Sequence, residues 1–109
     1  MTDELIVFIT VPDGDRADQL AEALVGERLA ACVNIVGPIR SVYRWEGQTC
    51  RDDEVLLIVK TTRVRYAPLE ARVLELHPYQ TPEVIAVPIE AGAAAYRAWI
   101  RAETEPDGA

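Results

Sequence analysis

Apolar positions follow two rhythms along this chain. Residues 5–11, LIVFITV, form an unbroken apolar and largely β-branched run, which predicts a strand buried on both faces. Pro12-Asp13-Gly14-Asp15 stops the run and offers an aspartate as a helix cap. From Arg16 to about Ala30 the rhythm becomes helical: Ala17, Leu20, Ala21 and Leu24 recur on one side, with Asp18, Glu22 and Glu27 elsewhere. A second strand starts at residues 32–36, is interrupted by Gly37-Pro38 and resumes over residues 39–45. Proline cannot donate to a ladder, so this strand belongs at a sheet edge or carries a bulge. Glu46-Gly47-Gln48-Thr49 reads as a hairpin turn, and residues 53–62 as the return strand, with EVLLIVKTT as its core. Arg63–Leu76 predicts a second helix with Tyr66, Leu69, Val73 and Leu76 on one face; Pro68 is expected in its first turn. Residues 83–89, EVIAVPI, read as a fourth strand, again with a proline that demands an edge or an end. After Gly92, the residues Tyr96, Trp99 and Ile100 mark a short amphipathic helix, and residues 104–109 read as a disordered tail.

The element order is strand, helix, strand, strand, helix, strand, plus a C-terminal helix. That is an α+β, ferredoxin-like split βαβ pattern in a single domain over residues 1–103. The proline-free strands belong at the centre and the proline-bearing ones at the edges, which agrees with the sheet order 4-1-3-2. Helices cover one face of such a sheet, yet LIVFITV, VLLIV and VIAV are apolar on both. A second face that apolar exceeds what a soluble monomer usually exposes, so further copies of the chain are expected to cover it.

Charge narrows the partners. A net charge of −7 argues against nucleic acid or an anionic membrane, since either calls for a basic patch. No run approaches membrane-spanning length, and the start MTDEL lacks the basic residues of a secretory signal, so a cytoplasmic protein is expected. Cys32 and Cys50 are too far apart in sequence for a Cys-x-x-Cys metal site. With the hairpin centred on Gly47-Gln48, Cys50 faces Trp45 and lies some 40 Å from Cys32, which excludes an intrachain disulfide.

Candidate chemistry concentrates in the connector before the fourth strand. The stretch HPYQTPE holds the only histidine, His77, and two prolines that force extended backbone at His77 and Thr81. It also brings Tyr79 and Glu83. Imidazole is a common ligand for borderline metals. Against that stands a helix-end role, in which His77 caps terminal carbonyls. Nothing supports catalysis: there is no phosphate-binding glycine loop or nucleophile elbow, and one histidine makes no acid–base pair. An enzyme is therefore not expected.

Five segments in register resemble the CutA divalent-cation tolerance proteins: LAACVNI from Leu29, SVYRWEG from Ser41, EVLLIVKT from Glu54, HPYQTPEVIAVPI from His77 and YRAWI from Tyr96. The resemblance implies a homotrimer similar in architecture to PII signalling proteins, and a link to divalent metals, copper in particular. It makes His77, Cys32 and Glu83 the candidate metal ligands, Cys32 as a soft ligand for copper(I). Cys32 is equally at home as a small buried apolar residue. Lys60, Tyr79, Trp45 and Tyr43 are the candidates for lining a cleft between subunits, where Lys60 would pair with Glu83 or an anionic ligand. For Lys60 the plain alternative is a strand end reaching water, and for the aromatics it is interface packing. Two rivals accompany the metal reading: a PII-like module that binds a small anion and relays it to an unidentified protein partner, and a stable trimeric scaffold. The hairpin is long enough that its outer part should project and lie, with Trp45, against a neighbouring subunit.

Overall fold

A computed structural model describes residues 3–106. Strand β1 (Glu4–Val11) is followed by helix α1 (Gly14–Gly26), strands β2 (Cys32–Trp45) and β3 (Gln48–Thr62), helix α2 (Arg63–Leu76), strand β4 (Val84–Pro88) and helix α3 (Ala94–Glu103). The sheet is antiparallel throughout, in the order β2-β3-β1-β4, which is the expected 4-1-3-2 order taken from the opposite edge. The proline-free strands are central and Pro38 and Pro88 sit on the edge strands.

The core lies between one sheet face and helices α1 and α2. Val7, Ile9 and Val11 of β1 meet Leu57 and Val59 of β3, with Ala17, Leu20 and Leu24 from α1 and Leu69 and Val73 from α2. Asp13 caps α1 as expected, its carboxylate accepting from the Arg16 N–H at 2.8 Å. The helix ends at Gly26, four residues before the expected Ala30. Arg28 adopts a left-handed φ of 61°, the Arg28 N–H bonds the Val25 carbonyl and the Leu29 N–H bonds the Leu24 carbonyl. This is a Schellman closure with arginine at the position glycine usually takes. The Arg28 guanidinium donates to the Ala102 and Glu105 carbonyls, so the strained residue also caps the end of α3.

Helix α2 begins at Arg63, so Pro68 falls inside the helix and not in its first turn. It removes one backbone hydrogen bond there, on a turn whose Val64 is 80 % exposed and faces solvent. The bulge expected at Pro38 is present: three steps of β2 from Val36 to Ile39 match two steps of β3 from Leu56 to Glu54. A Cβ at Gly37 would come within 3.1 Å of a Val55 methyl, so a side chain here would have to push the Val55 side chain aside.

The hairpin turn is tighter than expected. Only Glu46 (φ 50°) and Gly47 (φ 77°) lie outside the ladder, both with positive φ, as in a type I′ turn. Gln48 already pairs with Trp45, so Cys50 faces Tyr43 and not Trp45. Both cysteines are free. Cys32 pairs with Lys60, so the cysteines are ten β3 residues apart, about 33 Å rather than 40 Å.

Helix α3 covers part of the second sheet face. Glu4 alternates onto that side of β1 and is fully buried, accepting from Arg97 at 2.6 Å and Arg101 at 2.9 Å. Of the three residues expected to form the apolar side of α3, only Ile100 is buried, while Tyr96 and Trp99 stack on each other in the open. Of the expected tail, Thr104 is buried and bonds the Ile100 carbonyl, and residues 107–109 lie outside the described residues. Beyond α3 the second face keeps Val36, Ile85 and Val87 exposed.

Candidate ligand cleft

Residues 55–62 of β3 pair with β1, but residues 48–54 pair with β2 alone. The outer part of the hairpin is thus a two-stranded ribbon, and the molecule measures 45 × 28 × 21 Å. At the base of the ribbon, the connector after α2 folds back against it. The cleft between them has a volume of about 670 Å³. Tyr43, Trp45 and Glu54 line it from the ribbon, Thr10 from the end of β1, and Tyr79 and Glu83 from the connector.

Hydrogen bonds explain why the connector sits there. His77 ends α2 and is buried. Its Nδ1 accepts from the Tyr79 N–H at 3.1 Å, which leaves the ring proton on Nε2 to donate to the Thr10 carbonyl at 2.7 Å. The imidazole also lies against the Tyr79 ring, with centroids 4.7 Å apart. Tyr79 in turn donates its hydroxyl to Glu54 at 2.9 Å. Strand end, imidazole, phenol and carboxylate therefore form one chain of bonds that ties connector to ribbon. Both nitrogens of His77 are engaged, so it offers no lone pair to a metal in this arrangement.

Two phenols face two carboxylates on β3. Tyr43 donates to Asp52, and that bond raises its pKa to about 12. Burial, and then the bond to Glu54, hold the Tyr79 phenol well above its ordinary range. Both hydroxyls are thus protonated donors at neutral pH. Glu54 is only 7 % exposed, and among the described residues its side-chain hydrogen-bond partner is the Tyr79 hydroxyl alone. None of the described residues lining the cleft is lysine, arginine or histidine.

The expected metal ligands are not brought together. Glu83 lines the cleft and His77 lies beneath it, but Cys32 pairs with Lys60, in the row of Ile6. That row is four residues along β1 from Thr10, about 13 Å, and β2 lies two strands over. No three His, Cys, Asp or Glu side chains among the described residues gather into a metal-holding group. Of the expected cleft residues, Tyr79, Trp45 and Tyr43 share the cleft; Lys60 does not. The register carries Lys60 to the other end of the sheet, where its ammonium bonds Asn34 instead of Glu83. Glu54 and Thr10 were missed by reading the sequence. Their signal was a carboxylate opening the apolar run EVLLIV and a threonine breaking LIVFITV on one face.

Comparison with known proteins agrees with this architecture. The family model for the CutA1 divalent ion tolerance protein matches residues 5–103. A divalent-cation tolerance protein CutA from Thermus thermophilus is 50 % identical over 93 % of this chain and 98 % of its own length. Protein CutA of Homo sapiens is 43 % identical over 90 % of this chain, which spans 55 % of that protein; the plant relatives are covered to a similar extent. The solved structure of the Thermus thermophilus protein superposes with a TM-score of 0.92 at 50 % identity, covering 94 % of this chain and 99 % of that one. CutA from Xylella fastidiosa gives 0.93 at 38 % identity, covering 95 % and 100 %. With the matched model running from β1 to the end of α3, this chain belongs to the CutA1 divalent ion tolerance family.

Proposed function

We propose that this protein serves divalent-cation tolerance in the cytoplasm as a homotrimeric binding module rather than an enzyme, with the cleft between ribbon and connector as its cation site. The observation that carries this reading is Glu54: a carboxylate almost wholly out of water, at the wall of a cleft, with a neutral phenol as its only side-chain partner among the described residues. A buried carboxylate is costly without a compensating positive charge, so the site favours a cation. The anion-binding rival finds no basic side chain in the lining. Copper from His77, Cys32 and Glu83 does not fit these positions, because His77 is spent on Thr10 and Tyr79 and Cys32 is at the far end of the sheet. A divalent ion held at Glu54 and Glu83 would draw further oxygen ligands from water or a neighbouring subunit. The exposed Val36, Ile85 and Val87 and the unsupported ribbon favour such a neighbour. Binding without catalysis is also supported by His77, which has no nitrogen left for proton transfer.

Calorimetric titration with Cu²⁺, Zn²⁺ and Mg²⁺ tests the site. Saturable binding that weakens in Glu83→Gln is expected; absence of binding by all three would leave the scaffold reading. Light scattering tests the assembly, and a stable monomer of the 12.1 kDa chain mass would sink it.

A further inference from the structure

We infer that the cleft takes a small organic ammonium ion, a conclusion that rests on reading the cleft as the protein's cation site and names the class of cation. A metal ion selects for several converging oxygen, nitrogen or sulfur donors, and among the described residues this cleft offers the carboxylates of Glu54 and Glu83 without a third such ligand. An alkylammonium has different needs. It carries one positive charge on an apolar body, and it is held by aromatic faces together with a carboxylate. The cleft supplies those parts within a single chain. Tyr43, Trp45 and Tyr79 line it, each about two-fifths exposed at 41 %, 42 % and 38 %. Glu54 lines the same space, only 7 % exposed, with no cationic side chain among the described residues paired to it. Thr10 and Ser41 add hydroxyl groups that can accept from an N–H. A volume of about 670 Å³ falls in the range of small-molecule sites and exceeds what a lone hydrated ion requires. Neither phenol carries a positive charge to set against the Glu54 carboxyl, and an ammonium ligand supplies one.

The bond chain behind the cleft makes it preformed. His77 fixes the Tyr79 backbone, and the Tyr79 hydroxyl holds Glu54 in place. A ligand therefore finds the carboxylate and one ring already oriented, which lowers the ordering cost of binding.

The test is calorimetric titration of the intact full-length protein with n-butylammonium, with n-butanol as the uncharged counterpart of similar shape. Saturable butylammonium binding with no butanol binding is expected. Glu54→Gln keeps a hydrogen-bond acceptor for Tyr79 but removes the charge, and should weaken butylammonium by roughly tenfold or more. If that variant does not fold, Tyr79→Leu serves instead and should weaken binding severalfold by removing a ring face. Equal binding of butanol, affinity unchanged in the variants, or no saturable butylammonium binding would each overturn the proposal. Divalent ions titrated into the same samples separate the two readings. Glu54-dependent metal binding without butylammonium binding rejects the ammonium and leaves the cation site standing.

Discussion

Residues 55–62 of β3 run between two strands and under helices, whereas residues 48–54 of the same strand have one strand neighbour and meet the connector only at Glu54. Leu57 and Val59 are fully buried in the first region; Val42, Tyr43 and Trp45, along the second, are 61 %, 41 % and 42 % exposed. The inner region is closed by residues of its own chain, including α3, which is pinned to the second face by Glu4, Arg97 and Arg101. The outer region is held mainly by its ladder and by one contact, Tyr79 to Glu54. A two-stranded ribbon is marginal in water by itself. The contrast teaches that stability and binding are housed apart. Rigid packing sets the ribbon's base, and the ribbon with its connector carries the aromatic and acidic groups that can meet a ligand or a neighbour.

Four substitutions bear on that contrast. The largest effect is expected inside, from Leu57→Ala, which empties space in the packed core. A loss of about 3–4 kcal/mol is expected in urea unfolding, with an unchanged m-value. A loss below about 1 kcal/mol would mean that the inner region does not dominate stability.

Next is Glu4→Gln, expected to cost about 2–3 kcal/mol, less than a wholly enclosed pair because both arginines reach water. The Arg97 hydrogen bond, aided by Arg101, holds the Glu4 carboxyl below the usual carboxylate range, against the opposing effect of burial. Its folded pKa is therefore lower than its unfolded one. Its contribution is complete above the unfolded value and fades as pH falls through the folded one. Acid titration of stability should show a steeper loss in the wild type than in Glu4→Gln, and parallel curves would break the assignment.

Outside, Trp45→Ala should act through assembly. An aromatic anchor at an interface is worth on the order of 2 kcal/mol, so light scattering should show dissociation at a higher protein concentration. In a Trp99→Phe background, a red-shifted and freely quenched Trp45 emission in the oligomer would place that residue in water and defeat the ribbon–neighbour contact.

The smallest effect is expected at Arg28→Gly. Glycine relieves a left-handed conformation worth about 1–2 kcal/mol. The same change removes charge-assisted bonds to two carbonyls at the end of α3, worth about 1.5–3 kcal/mol each. Since those bonds are exposed, a net loss of about 1 kcal/mol in thermal or urea unfolding is expected. A gain in stability would show that the α3 cap contributes little.

Most of the fold was legible in the chain. Hydrophobic period separated LIVFITV and EVLLIVKT from the helical repeats of Ala17–Leu20–Leu24 and Leu69–Val73, and proline at 38 and 88 set the edge strands. These are local signals: side-chain spacing and a missing N–H act within a few residues. Three of the four residues expected in the cleft do line it: Tyr43, Trp45 and Tyr79, which stand out as aromatics beside a turn and between prolines. Register was not legible. A hairpin shorter by two loop residues moved Cys50 from Trp45 to Tyr43, and the same ladder carried Lys60 and Cys32 away from Glu83. Only the folded chain could decide that His77 gives both nitrogens to Thr10 and Tyr79, sixty-seven and two residues away, and that Glu54 is buried with a phenol as its partner. Pairings between distant segments depend on where strands stop and how a connector folds back. Those outcomes are set by the packing of the whole chain, and no short stretch of sequence carries them.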